Sequence, residues 1–406
     1  MEPTHRQLDI VNDSQLLREA DRCVKCGICL PHCPTYKLTL DEGDSPRGRI
    51  ALIQGLVEGK LKSQRAERHI DRCLGCLACQ KVCPSQVNYS TLLDGYRATR
   101  PIHGPTRLML NLMSRLPYKG WAGAALGAYR FAGIRFLARR IGGARFRRID
   151  DLMPPQTRLR RWPRVSRPTS SPQGRVALFT GCVGRVADRP ALEAAITLLR
   201  RLNYEVAIPG DQGCCGAMHQ HGGAPENADT MARQNRQAFQ SGDYDAVIYL
   251  ASGCGAQLVN QIDDTPVLEI SQFLVRSHWP KDVSLGRLDC SVALHTPCSQ
   301  KNQLQLGDTP HEILARIPGI QLRRLEEIDC CGAAGSYLLL QPEMSDRLQS
   351  RALDHLYACQ PDVLATSNTG CALQLAAGIR KDGRKVRVVH PVELLLESVH
   401  KGDQGG

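Results

Sequence analysis

The sequence predicts a small helical module followed by two copies of a parallel α/β unit. Three observations predict this. Eight cysteines in residues 1–100 form two runs of identical spacing. Residues 101–170 hold no cysteine and carry nearly all of the net charge. Residues 171–406 hold ten more cysteines, and four of these recur at one offset. A chain of 406 residues allows two to four domains of ordinary size, and 42% apolar residues suffice for real cores.

The first element is residues 1–100. The opening MEPTHRQLDIVNDSQ is polar, with no apolar signal core, which predicts an unsecreted chain. Eighteen cysteines in such a chain point to metal or redox chemistry, not to a disulfide framework. The runs are Cys23-x2-Cys26-x2-Cys29-x3-Cys33-Pro34 and Cys73-x2-Cys76-x2-Cys79-x3-Cys83-Pro84. This is the two-cluster ferredoxin spacing, in which three close thiolates grip one cubane and the fourth reaches the other. Cys23, Cys26, Cys29 and Cys83 are assigned to one 4Fe–4S cluster, and Cys73, Cys76, Cys79 and Cys33 to the second. Structural zinc is the competing reading, but zinc sites use two pairs of ligands, not a repeated four-cysteine run ending in Pro. RGRIALIQGLVEGK (47–60) and QRAERHIDR (64–72) look helical, so the module is expected to be mostly helical.

The second element, 101–173, holds the basicity. The chain carries +12, yet residues 101–170 alone sum to +13 and the remainder to −1. Trp121, Tyr129, Phe131 and Phe136 lie among the arginines as amphipathic anchors. An interfacial helix pair on anionic lipid and a docking face for a partner subunit are the two leading readings of 101–148, with a solvated linker next. Nucleic-acid binding needs a recognisable fold around the patch, and none is visible. Residues 152–173, with five prolines, read as an extended linker. Mean hydropathy is −0.28 and no run of about 18 apolar residues occurs, so a spanning helix is not expected.

The third and fourth elements, 174–285 and 286–406, are an internal duplication. Cys182 recurs as Cys298, Cys214 as Cys330 and Cys215 as Cys331, each after 116 residues; Cys254 recurs as Cys371 after 117. RVALFTGC (175–182), YEVAIPG and DAVIYLASGC (245–254) read as strands, with helices at 189–202 and near 226–240. SVALHTPC, HEILARI, EMSDRLQSRALDHL and DVLATSNTGC repeat the order. Strands alternating with helices predict a parallel sheet, with the cysteines just past the strands' carboxyl ends, where open α/β sheets bind ligands. The two halves are expected to converge on one redox pocket. Adjacent cysteines are poor disulfide partners, so Cys182, Cys214, Cys215, Cys254, Cys298, Cys330, Cys331 and Cys371 suit a further cluster or redox pocket. Buried small apolar cysteines are the competing reading. Cys290 and Cys359 have no counterpart and are read as structural. His219, His221 and His295 lie near these cysteines as acid, base or ligand candidates, His221 being read as a solvated loop residue. No G-x-G-x-x-G, G-x-x-x-x-G-K-[ST] or H-E-x-x-H occurs, so no site for the chain's own dinucleotide is expected.

The doubled cysteine-rich repeat resembles the CCG domain of heterodisulfide reductase subunits and of hydroxyacid dehydrogenase electron-transfer subunits. With SerProArgGlyArgIle at 45–50, AspArgCysLeu at 71–74, AlaSerGlyCysGlyAla at 251–256 and CysCysGlyAlaAlaGlySerTyr at 330–337, the whole resembles the iron–sulfur subunits of bacterial glycolate oxidase. That resemblance implies assembly with FAD-binding subunits that oxidise glycolate to glyoxylate. It implies electron relay towards the respiratory chain through a quinone-type acceptor, and a cytoplasmic place, peripheral on the inner membrane. The fullest CCG pattern ends in Cys-x2-Cys, but here Cys254 and Cys371 stand alone, which leaves one third cluster, two, or none open. Alternatives are the equivalent subunit for lactate or glycerol 3-phosphate, a heterodisulfide-reductase-like enzyme, and a cluster-based sensor or scaffold.

Overall fold

The structure, a computed structural model, describes residues 12–100, 104–118, 121, 125, 127–129, 134–153, 162–240, 242–325 and 330–405. The expected anchor Phe131 and the Pro-rich stretch 154–161 lie outside them.

The N-terminal module is helical. Helices Asp13–Asp21, Pro46–Val57, Gln64–Asp71 and Tyr89–Ala98 pack Leu16, Ile53, Ile70 and Leu92 into a core that water does not reach. Each helix starts at a side-chain cap, from Asn12, Ser45, Ser63 and Asn88 respectively. The cap oxygen takes one of the amides that a helix N-terminus leaves unpaired. The helix expected over 47–60 ends at Val57 instead, because the chain turns left-handed at Gly59 (φ 71°).

Each cysteine-rich half is a parallel sheet with helices. The first comprises β2 (Gly174–Leu178), β3 (Tyr204–Ala207), β4 (Ala246–Tyr249) and β5 (Val267–Glu269), in the order 3-2-4-5. The second comprises β6 (Ser291–His295), β7 (Gln321–Arg324), β8 (Val363–Thr366) and β9 (Arg387–Val389), in the corresponding order 7-6-8-9. The sequence duplication is therefore a duplication of topology. Strands β4 and β8 are buried along their whole length, which is why they read as unbroken apolar runs.

One departure concerns the expected linker. Val165–Ser166 forms a short strand, β1, antiparallel to β3 with Val165 opposite Ala207. The open edge of β3 offers unpaired backbone groups, and the passing chain satisfies them, with Ile208 donating its amide to the Arg164 carbonyl at 2.7 Å.

The halves share one core. Leu192 and Leu198 of helix Arg189–Arg201 join Val392 and Leu395 of helix Pro391–Gly405, while Ile270 and Leu274 of helix Ile270–Arg276 join Ile313 and Leu314 of helix Thr309–Leu314. Each pairing sets the helix between the first two strands of one half against the last helix of the other, as an approximate two-fold axis requires.

The basic segment is partly internal. Met109 and Met113, on helix Gly104–Arg115, pack against the second half's core. The Tyr118 hydroxyl donates to the Gly213 carbonyl at 2.7 Å, and Arg148 pairs with Asp346 at 2.7 Å. The buried carboxylate of Asp150 gathers Tyr129, Arg135 and Arg139. The segment thus straps both halves, and its outer face remains apolar at Leu108, Leu112, Trp121, Phe136 and Ile141.

Candidate functional site

The structure gathers the eight N-terminal thiols in two adjoining sets, with Cys79 at their junction. Cys23, Cys26, Cys29 and Cys83 line one cavity, which Cys79 also touches. Cys33, with Cys73, instead crowds the Cys76 and Cys79 thiols, and Cys298 of the second half lies against Cys76 as well. All eight are free thiols. The two Cys-x2-Cys-x2-Cys loops share one backbone: φ is positive at Lys25 and Gly27 in the first (58° and 86°) and at the matching Gly75 and Leu77 in the second (64° and 56°). Left-handed backbone at Lys25 and Leu77 carries strain, and strain of this kind concentrates at binding sites. Burial pushes the Cys76 and Cys79 thiols well above their ordinary value. Crowded thiols of this kind suit a metal cluster, whose cations would take up the thiolate charge.

The SerProArgGlyArg stretch has a physical task at every position. Ser45 caps helix Pro46–Val57 by accepting the Gly48 amide at 2.9 Å, and Pro46 takes the first turn, where no amide is needed. Arg47 pairs with Glu42 at 2.6 Å and donates to the Lys25 carbonyl at 3.0 Å, tying the first cysteine loop. A Cβ on Gly48 would sit 1.9 Å from the Glu42 carbonyl oxygen, so only glycine fits. Arg49 is buried beside the second thiol group, its Nη1 3.9 Å from Cys33 Sγ and 3.0 Å from Thr35 Oγ1. The sequence displays this motif, but neither it nor the periodicity reveals that Arg49 points inward.

In the C-terminal halves the structure brings four thiols together in each half. Cys182 Sγ lies 3.2 Å from Cys214 Sγ, with Cys215 against Cys214 and Cys254. Cys331 Sγ lies 2.8 Å from Cys371 Sγ, with Cys298 against Cys330. The reason is local: a CysCysGly turn delivers two thiols, and the strand ends beside it in the same sheet deliver the others. Gly216 and Gly332 make the two turns at φ 84° and 83°, and each aims its amide at the first sulfur of its pair, Cys214 at 3.5 Å and Cys330 at 3.4 Å. Hydrogen bonds from Cys182 and Cys215, with the Gly216 amide, hold the Cys214 thiol well below its ordinary value. The two sets communicate through Asn368, which accepts the Gly253 amide at 3.0 Å and donates to Cys371 Sγ at 3.4 Å.

The second thiol group of the N-terminal module abuts the second half. After Cys298 the chain enters the π-helical turn Ser299–Leu304, from which Asn302 donates to the Cys76 carbonyl at 2.9 Å. Tyr337 donates to the Arg72 carbonyl at 3.0 Å. The first half meets the module elsewhere, where His221 pairs with Asp94 at 3.1 Å and Asp94 raises its pKa. His219 is buried and hydrogen-bonded to Asn111 at 3.3 Å, and burial lowers its pKa. His295 is buried in β6 against Thr366 at 2.9 Å, and burial holds it down to about 4. Cys290 and Cys359 pack against hydrophobic cores, apart from both thiol sets.

Comparison with known proteins agrees with this division. The 4Fe-4S dicluster domain family matches residues 19–87, and the cysteine-rich CCG domain family matches 176–259 and 292–376. A Bacillus subtilis protein named probable glycolate oxidase iron-sulfur subunit is 33% identical, over 93% of this chain and 94% of its own. The Escherichia coli glycolate oxidase iron-sulfur subunit is 29% identical over the same shares. A fumarate reductase (CoM/CoB) subunit from Methanothermobacter marburgensis is 24% identical, over 94% of this chain and 73% of its own. A relative a third identical along nearly the whole of both chains settles the family: this chain belongs to the glycolate oxidase iron–sulfur subunits, and it is an iron–sulfur electron-transfer subunit.

Proposed function

We propose that this chain relays electrons within a membrane-associated complex that oxidises glycolate to glyoxylate. Cys23, Cys26, Cys29 and Cys83 hold one 4Fe–4S cluster, and Cys73, Cys76, Cys79 and Cys33 hold the other. The observation that supports the reading is that Cys83 lines one cavity with Cys23, Cys26 and Cys29, while Cys33 is among the thiols crowding Cys76 and Cys79. Clusters bound there supply one-electron carriage. Cys182, Cys214, Cys215 and Cys254, and likewise Cys298, Cys330, Cys331 and Cys371, offer further cluster or redox sites. Oxidising a 2-hydroxy acid needs a two-electron acceptor, and no dinucleotide fingerprint is present here, so FAD belongs on a partner subunit. Delivery runs to a quinone-type acceptor.

The four units 1–100, 101–173, 174–285 and 286–406 divide the labour. The strap's outer face, with Leu108, Phe136 and Ile141 exposed among arginines, supports peripheral contact with the inner membrane or with a partner. Among the described residues no helix is long and apolar enough to cross a membrane. Two of the compared relatives, 33% and 29% identical, carry the glycolate name over 93% of this chain, whereas those named for lactate utilization match about half of it, which favours glycolate over lactate.

The test is anaerobic purification with the flavoprotein partner. The N-terminal sites alone should bring about eight iron atoms. Replacing Cys214, Cys215, Cys330 and Cys331 with Ser should leave flavin reduction by glycolate intact and stop delivery to a quinone analogue. Normal quinone reduction by that folded variant overturns the CCG role. Glycolate oxidation by this chain without flavoprotein overturns the division of labour.

A further inference from the structure

The two N-terminal thiol groups sit in opposite surroundings. The outer group opens to solvent: Cys26 is the one exposed cysteine of the eighteen, and Val24 beside it is 70% exposed. Its neighbouring cation, Arg47, is partly solvated and paired with Glu42. The inner group is enclosed, with Cys33 and Cys73 buried and the second CCG half against Cys76. A 4Fe–4S cluster on four thiolates is anionic and gains a further negative charge on reduction. Burial penalises the more highly charged form. Burial alone would therefore make the inner site the harder to reduce, and electrons admitted at the exposed edge would stop there.

Arg49 offsets this. It is 1% exposed, and four bonds or contacts fix it: Nε donates to the His69 carbonyl at 2.7 Å, Nη1 to Thr35 Oγ1 at 3.0 Å, Nη2 to Asp44 Oδ1 at 3.3 Å, and Nη1 lies 3.9 Å from Cys33 Sγ. The Asp44 carboxylate is shared, because Arg72 lies 3.5 Å from its other oxygen. Arg49 and Arg72 together face two carboxylates, Asp44 and the neighbouring Asp41, but of the two guanidiniums it is Arg49 that is buried against a cluster thiol, in the low-dielectric setting where its charge reaches furthest. Tyr89 adds a hydroxyl donated to Cys73 Sγ at 3.5 Å.

Resting on the ligand reading above, we propose that Arg49 raises the electron affinity of the inner cluster site above that of the outer one, so that electrons admitted at the Cys26 edge run inward to the second CCG half. The step moves one electron, oxidising the outer site and reducing the inner; no bond breaks and no proton moves. Arg49 is a positioning residue, since it acts through Cys33 and the field at the inner site.

The experiment is an EPR-monitored redox titration of the full-length, anaerobically purified protein. A water-soluble gadolinium chelate broadens the exposed signal and so identifies the outer site. In the unmodified protein the inner signal should appear at the higher potential. Arg49→Gln should lower the inner site's equilibrium constant for electron uptake at least tenfold, which is 59 mV for a one-electron couple, and leave the outer site unmoved. Arg49→Lys, which keeps the charge, should shift it less. An inner potential below the outer in the unmodified protein overturns the proposal, as does an iron-replete Arg49→Gln with an unmoved inner potential. If Arg49→Gln loses iron, the order in the unmodified protein and the Arg49→Lys shift decide. Unmodified protein with iron well below eight per chain overturns the ligand reading, and the proposal falls with it.

Discussion

Gly332 shows how little latitude the thiol sites leave a single residue. A Cβ there would lie 2.4 Å from the Ser345 carbonyl oxygen, at a φ of 83° that L-residues avoid. Gly332→Ala should cost more than about 1 kcal/mol from backbone strain alone and displace the amide aimed at Cys330. Iron analysis and thermal melting would check both effects. Glu269 gives a pH-dependent case. Burial pushes its carboxyl up to about 7, while His390, 3.8 Å away and held down to about 4 by burial, stays neutral above that value. Below the ordinary carboxylate range Glu269 is protonated folded or unfolded, and its burial adds no ionisation cost. As pH rises from there to about 7, the unfolded chain ionises this acid and the folded chain does not, so stability falls by up to about 3 kcal/mol and then levels off. Glu269→Gln keeps the acceptor for the Ser271 and Gln272 amides and removes the titration. Between pH 5 and pH 8 the melting temperature of the unmodified protein should drop relative to that of the variant; parallel curves would refute this.

At the scale of elements, the helices and central strands were legible because their signals are local. Helix Pro46–Val57 combines an N-cap serine, a proline at its first turn and buried Ile50 and Ile53. Ser45→Ala should cost about 1 kcal/mol and, by loosening the Arg47 tie to Lys25, increase loss of iron from the outer site under chelator; an unchanged chelation rate would count against the tie. The strap was less legible. Its composition suggests an amphipathic surface, but only packing shows that Met109, Met113 and Tyr118 serve the chain's own halves while Phe136 and Ile141 face outward. Phe136→Glu combined with Ile141→Glu should reduce membrane recovery or subunit association at least severalfold without altering the melting temperature, since neither side chain is buried. Retention of both associations would remove this face from the docking account. Strand β1 was missed because two residues carry no periodicity, and the edge of β3, which the sequence does not display, decides their conformation.

Over the whole molecule, the paired helices across the approximate two-fold make the CCG halves one folding unit. Leu192 and Leu395, from different halves, are buried in a single core. Leu395→Ala should therefore cost about 2–5 kcal/mol and lower one common calorimetric transition. Two separated transitions, only one of them shifted, would show independent halves. The cluster module is tied asymmetrically to this unit: Asn302 and Tyr337 of the second half grip the inner cysteine loop, while His221 of the first half pairs with Asp94. Asn302→Ala should slow re-oxidation of the inner site by a quinone analogue and leave its reduction by the partner intact, measured by stopped-flow absorbance.

The sequence by itself determined the two cysteine runs, the duplication and the parallel α/β order of each half, because spacing and periodicity are properties of the chain. The tertiary structure decided which thiols of the CCG halves meet, four per half. It also decided that Asn368 links the two sets, that the second half faces the inner loop, and that Arg49 lies buried beside Cys33. Such contacts join residues far apart in sequence or turn a charged side chain inward, and both depend on how faces pack, which no local pattern encodes.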